Sequence, residues 1–365
     1  MASSTILSRK IIKLSPSIPS SHRHYNLSFR DQTTNILYLP IVALYSKPEN
    51  HTITQISNIL ENSLSKILFF YYPFAGRIKD NKYVDCSDIV GAEYFKVQVN
   101  CQMSEILTNP YNDAIEIVFP QNLPWSDSLS KERSSILVVR LTILIVVEAL
   151  FFSPIDNPPH MPNVVPDPQR CVSRMYNFSS SSLFKLKDIV STNSQIQNPS
   201  RIEVATSLLH KCGVDVSMAK LGVFKPTIAI AMTENKISLP NYVGELQKAK
   251  QQLRYELKDM NTDQLATHAI EKIKEIANIM KQDAFDMYFC TSLCTFGSHK
   301  IDFGWGSPIR VTQVKQPMKN QFIFMDDPSG EGINVLITLT EADMLLFQNN
   351  KELLEFASPV VQSLE

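Results

Sequence analysis

Glycine is scarce in this sequence, with ten residues in 365, and no glycine-rich loop of the kind that cradles phosphates is present. The six cysteines (Cys86, Cys101, Cys171, Cys212, Cys290 and Cys294) form no C-x-x-C pair, so the sequence offers no metal site, and their scatter reads as reduced thiols in the cytosol. Cys290 and Cys294 lie four apart in a segment that reads as strand, where both would serve as small hydrophobes on one face. Neither sign of charge dominates. A net charge of -1 gives no electrostatic reason to expect nucleic acid or an acidic membrane as partner. The most apolar run, Ile136 to Phe152, contains Arg140, Thr142 and Glu148 and falls short of the ~20 apolar residues that a bilayer span needs. It is expected to form a buried strand or hairpin, with no membrane partner. Arg9, Lys10 and Lys13 interrupt the apolar residues at the start, so no signal peptide is read there and a cytoplasmic protein is expected.

What is present suits a globular chain. The hydrophobic share is 44% and the charged share 19%, and 365 residues are enough for two domains with separate cores. Ile56, Ile59, Leu60, Leu64, Ile67 and Leu68 recur at helical spacing and predict a helix over 55–68 that Pro73 stops. Strands are expected at 35–45, 94–99, 114–119, 287–296, 309–314, 321–325 and 333–340. Helices are expected at 179–190, 241–260, 262–281 and 341–357, and at 200–212, where Ser200 with Glu203 makes a capping box and Gly213 the C-terminal cap. His210, on that helix, reads as a surface or core histidine with no catalytic partner at helical spacing. Six prolines between Ser153 and Arg170 describe an extended linker, dividing the chain into 1–152, 153–170 and 171–365.

One stretch organises the rest. Ile301-Asp302-Phe303-Gly304-Trp305-Gly306-Ser307-Pro308 joins one of two tryptophans to two of ten glycines behind a single acid. Glycines flanking a large aromatic suggest a backbone bent at φ values that a side chain resists, with Asp302 accepting N–H bonds to hold the bend. On physical grounds this is a structural corner.

Asp302, Phe303, Gly304, Trp305 and Gly306 also reproduce the Asp-Phe-Gly-Trp-Gly signature of the plant BAHD acyl-CoA-dependent acyltransferases, which the chain resembles. Leu27-Ser28-Phe29-Arg30-Asp31-Gln32 looks like that family's Leu-Ser-x-x-Asp-Gln, and Tyr72-Pro73-Phe74-Ala75-Gly76-Arg77 its Tyr-Pro-x-Ala-Gly-Arg. Within the family the resemblance is to the trichome acylsugar acyltransferases, through Asn62 to Lys66, Gly91 to Tyr94, Val172 to Phe178 and Lys351 to Val361. It implies an α/β fold of two chloramphenicol-acetyltransferase-like domains, each a mixed sheet with helices, about an interdomain channel, here truncated relative to the family. It implies a monomer that binds no cofactor, takes acyl-CoA as cosubstrate, and moves the acyl group to a hydroxyl of a specialised metabolite, with acylated sucrose as the small-molecule acceptor. Asp302 to Gly306, Asp31, Gly76 and Arg77 are expected to be structural residues.

The family's catalytic His-x-x-x-Asp is missing. Four residues beyond the seven histidines stand Asn26, Ser28, Gln55, Val164, Val214, Lys272 and Phe303. In the family the strand like Leu137 to Leu141 leads into a hairpin that carries this motif, whereas here the chain passes through Thr142 to Leu150 into Phe151-Phe152-Ser153-Pro154. Family members also carry an Asn-Leu-Arg segment near 224–238, whose arginine pairs with the motif's aspartate, and no such arginine stands there. Loss of both partners leaves no orphan ion. The resemblance therefore implies no catalytic residue, and an impaired transferase. The alternatives are a non-catalytic protein binding acyl-CoA, an acylsugar or a partner, or a defective splice form or gene product.

Overall fold

A computed structural model describes residues 4–15, 19, 22–28, 41–46, 48–80, 82–87, 91–101, 103–108, 136–145, 171–192, 194, 196–216, 238–261, 264, 267–268, 271–272, 288–313 and 319–360. The expected strand at 114–119, most of the helix at 262–281 and the linker at 153–170 lie outside them. So does Asp31.

The N-terminal half runs β1 (Ser4–Ile12), β2 (His24–Asn26), β3 (Ile41–Leu44), α1 (Ile53–Phe70), β4 (Arg77–Lys79), β5 (Tyr83–Asp85), β6 (Ala92–Asn100), α2 (Met103–Thr108) and β7 (Val138–Ile145). β6 lies between β1, antiparallel, and β7, parallel, which makes a mixed sheet. The apolar run thus supplies β7, while 146–152 lies outside the described residues. Alternation along β6 buries Phe95, Val97 and Val99 on one side and Ala92 and Tyr94 on the other. α1 starts at a Thr52–Gln55 capping box and packs Leu64 and Leu68 under β6, and the Ser57 and Tyr94 hydroxyls meet at 3.2 Å. Ile67, expected on that buried face, is 47% exposed, because the i+4 step from Leu64 to Leu68 fixes the packed line.

The C-terminal half runs β8 (Cys171–Phe178), α3 (Ser180–Thr192), α4 (Arg201–Val216), α5 (Leu239–Leu257), β9 (Phe289–Ser292), β10 (Arg310–Gln313), β11 (Gln321–Asp326), β12 (Ile333–Thr340), α6 (Glu341–Phe347), α7 (Lys351–Phe356) and β13 (Ser358–Pro359). Its five-stranded sheet has the order β13-β8-β12-β11-β9, antiparallel except for the parallel β11–β9 pair. All eight residues of β12 are buried. Ile333, Val335, Ile337 and Leu339 meet the helices, and Leu336 joins Met175, Ile323 and Met325 on the opposite face. Each such side chain stabilises the fold by about 1.5–3 kcal/mol. The face away from these helices also carries two polar rungs between β8 and β12, Ser173 with Thr338 at 2.7 Å and Asn177 with Asn334 at 2.9 Å.

Three of the differences from the expected elements have a specific local cause or consequence. α4 runs through Gly213 to Val216, and Gly213 serves a close approach to Tyr288 instead of a cap. The expected helix at 341–357 is two helices, because Asn350 accepts the Leu353 N–H at 3.0 Å and starts a new N-terminus. The strand expected over 287–296 ends at Ser292, so Cys294 lies in the turn beyond, though it and Cys290 still pack on the same core.

β10 joins the halves. It follows the Asp302–Gly306 loop in sequence but pairs antiparallel with β3, Arg310 opposite Leu44.

Candidate functional site

The loop before β10 is bent around one carboxylate. Asp302 Oδ1 accepts the backbone N–H of Gly304 at 2.7 Å and of Gly306 at 2.9 Å. Both glycines have left-handed φ, +104° and +100°, where a Cβ is strained. The N–H groups of Gly304 and Gly306 hold the Asp302 carboxyl below the usual carboxylate range.

This bend sends Phe303 and Trp305 toward the N-terminal half. Their rings are 5.5 Å apart, and Tyr45, just past β3, has its ring 6.1 Å from Phe303 and 6.4 Å from Trp305. His51 lies edge-on to Trp305 at 6.0 Å. The Tyr45 hydroxyl donates to the Ile301 carbonyl at 3.0 Å. Burial, and then the negative charge of Asp302, push that phenol up to about 12.

Gly76 and Arg77 occupy a separate corner, beside the three-stranded β2-β5-β4 sheet. A Cβ on Gly76 would come within 2.6 Å of the Asp85 carbonyl, so the chain passes too close for a side chain. Arg77 is buried, its Nη1 donating to the Gly76 carbonyl at 2.7 Å and to that of Gly91 at 3.4 Å. The structure therefore brings Asp302, Phe303 and Trp305 together with Tyr45 and His51, and leaves Gly76 and Arg77 apart from them.

His210 is fully buried between the rings of Tyr242, at 4.9 Å, and Tyr288, at 5.0 Å. Burial pushes its imidazole down to about 3, so it is neutral at physiological pH. A cavity of about 270 Å³ lies beside β10, lined by Asn177, His299, Arg310, Asp326 and Asn334 among others. Neither His299 nor Arg310 is among the site residues expected from the sequence. An arginine opening an apolar strand was the available signal for Arg310. Among the described residues no group of three or more His, Cys, Asp or Glu side chains could hold a metal ion, and no helix is long and apolar enough to cross a membrane.

Comparison with known proteins agrees with this architecture. The family model described as "Transferase family" matches residues 2–144 and 242–354. Acylsugar acyltransferase 3 of Solanum lycopersicum is 46% identical over 432 aligned positions, which cover 100% of each chain. That alignment has 67 more positions than the 365 residues here. A Strychnos nux-vomica protein, 17,18-epoxy-17-hydroxycur-19-ene N-malonyltransferase, is 32% identical, covering 98% of this chain and 91% of its own. Among solved structures, vinorine synthase aligns with TM-score 0.74 at 22% identity, over 98% of this chain and 100% of that one. TRI101 of F. sporotrichioides, complexed with coenzyme A and T-2, gives 0.63 at 12% identity, over 92% and 99%. The matched segments stop at Leu144 and resume at Tyr242, and the unmatched stretch takes in both the sequence beyond β7 and the segment near 224–238.

Proposed function

From a chain that belongs to the Transferase family of BAHD acyltransferases, as this one does, we infer an acyl-CoA-dependent acyltransferase by descent whose acceptor is a hydroxyl of acylated sucrose. The full-length similarity to Acylsugar acyltransferase 3 carries this reading. The face of the C-terminal sheet that bears Ser173 and Asn334, with β10 beside it, forms one wall of the channel between an N-terminal domain over 1–152 and a C-terminal domain over 171–365. Asp302, Gly304 and Gly306 set the course of the chain into β10, and Trp305 and Phe303 lock that course against Tyr45. These residues, with Asp31, Gly76 and Arg77, are structural and lie away from the reacting atoms. The protein acts as a cytoplasmic monomer.

A thioester is already activated, so the enzyme has two tasks: to bring donor and acceptor together, and to take the proton from the attacking hydroxyl. A histidine base contributes roughly 10²–10⁴-fold to such a step. None of the seven histidines is followed at the fourth position by aspartate, so this chain keeps proximity alone. Transfer is correspondingly slow or absent, and binding of acyl-CoA or acylsugar becomes the retained property. The test is to incubate the purified protein with acetyl-CoA and partly acylated sucrose, beside the Solanum lycopersicum relative. Turnover at least ~10²-fold below that relative, with measurable coenzyme A affinity by calorimetry, is the expected result. An equal rate refutes the loss of the base, and absence of coenzyme A affinity refutes the descent of the binding function.

A further inference from the structure

Arg310 bears a charge that no acidic side chain of the described chain neutralises. It is 6% exposed. Its Nη2 donates to the Leu107 carbonyl at 3.0 Å, in the last turn of α2, while its Nε is buried without a hydrogen-bond partner. Among the described residues no carboxylate comes within 4.0 Å of it. A buried ion is retained at this cost only when something offsets it, and one neutral carbonyl at the end of a short helix offsets part.

The cavity lined by this residue supplies the complement. Its volume of about 270 Å³ is room for several waters or a small charged group, a water occupying about 30 Å³ of liquid. His299 lines it with an imidazole whose Nδ1 is buried and has no hydrogen-bond partner. Asn334 accepts from Asn177 at 2.9 Å through its Oδ1, which leaves its own amide N–H groups uncommitted. Asp326, the single acid of the lining, is already engaged: its Oδ2 accepts the Thr295 N–H at 2.5 Å, and its Oδ1 lies 3.6 Å from Arg201. The wall thus carries one buried guanidinium without a carboxylate partner among the described residues, and its single acid is already engaged.

We propose that this cavity binds an anionic group of a ligand, a carboxylate or a phosphate, with Arg310 as its charge partner and His299 and Asn334 as further donors. The cavity lies on the face assigned above to the channel wall, so the proposal deepens that reading; it is tested without acyl-CoA, which keeps its failure distinct from failure of the transferase reading. The full-length protein is titrated with sodium acetate and, separately, with sodium phosphate, at ionic strength held constant with sodium chloride, while calorimetry and thermal melting are followed. One of the two anions is expected to saturate at millimolar concentration and raise the melting temperature; saturation by acetate alone assigns a carboxylate, by phosphate alone a phosphate. R310Q keeps a donor for Leu107 and is expected to weaken the affinity at least tenfold. H299Q, at a half-buried position, melts like the wild type and weakens it threefold or more; it carries the test alone if R310Q does not melt cooperatively. A wild-type response to both anions no greater than to chloride overturns the proposal, as does unchanged affinity in both variants.

Discussion

The Tyr45 hydroxyl donates to the Ile301 carbonyl at 3.0 Å, a bond between residues 256 apart in sequence. It fastens the Asp302–Gly306 loop to the segment that follows β3. Tyr45→Phe keeps the rings that face Phe303 and Trp305 and removes only the donor. The variant is expected to lose about 1 kcal/mol in urea unfolding, as for a typical neutral hydrogen bond. A change indistinguishable from zero means the bond is replaced by water.

Gly304 and Asp302 test the bend from its two sides. Gly304→Ala places a Cβ at φ +104° in open space, so it meets backbone strain and no clash, with an expected cost of about 1–2 kcal/mol. Asp302→Ala leaves two N–H groups without their acceptor and is expected to lower the melting temperature and solubility while coenzyme A affinity stays as in the wild type. Lost affinity in a variant that still melts like the wild type contradicts the structural assignment.

His210 makes stability depend on pH in a definite direction. Its imidazole is held down to about 3 in the fold and returns to its ordinary value of 6.5 on unfolding, so the unfolded chain binds the extra proton between those values. Stability is therefore full above about pH 7.5 and falls as pH drops through 6.5 toward 3, at about 1.4 kcal/mol per unit below 6.5. Between pH 7.5 and 5 the loss amounts to about 2 kcal/mol. Urea unfolding of His210→Phe at both pH values should lack this contribution, and an identical slope in both proteins assigns the acid sensitivity elsewhere.

Gly213 sits inside α4 for want of space. A Cβ there would lie 2.8 Å from Cε1 of Tyr288, a fully buried ring that itself packs on His210. Gly213→Ala gains helix propensity yet is expected to destabilise by about 1–3 kcal/mol, since overpacking a closed core outweighs propensity. A stabilised variant would show that Tyr288 can move aside.

Much of the fold was legible because its signals are local. The Ser200–Glu203 capping box forms, with Ser200 N–H donating to Glu203 at 2.9 Å and Glu203 N–H to Ser200 at 3.2 Å. β12, Ile333–Thr340, falls on its expected residues because an apolar run set between a glycine turn and the Thr340 cap leaves little choice of ends. The two-glycine bend after Asp302 was readable from residue types alone. Gly213 is ambiguous in the sequence because a glycine three residues from a helix end looks the same whether it caps the helix or admits a ring from 75 residues away. His299 and Arg310 are unmarked in the sequence for a related reason. They come beside Asn177 and Asn334 only around the cavity of the folded chain, and no periodicity encodes that.

The β3–β10 ladder also fixes an order of events during synthesis. At ~5–20 residues per second, the 256 residues from Tyr45 to Ile301 take roughly 13–50 s to emerge, and β3 waits that long for its partner. Through that interval Ile41 to Leu44 lacks its β10 partner, so this ladder closes only after Arg310 to Gln313 have been made.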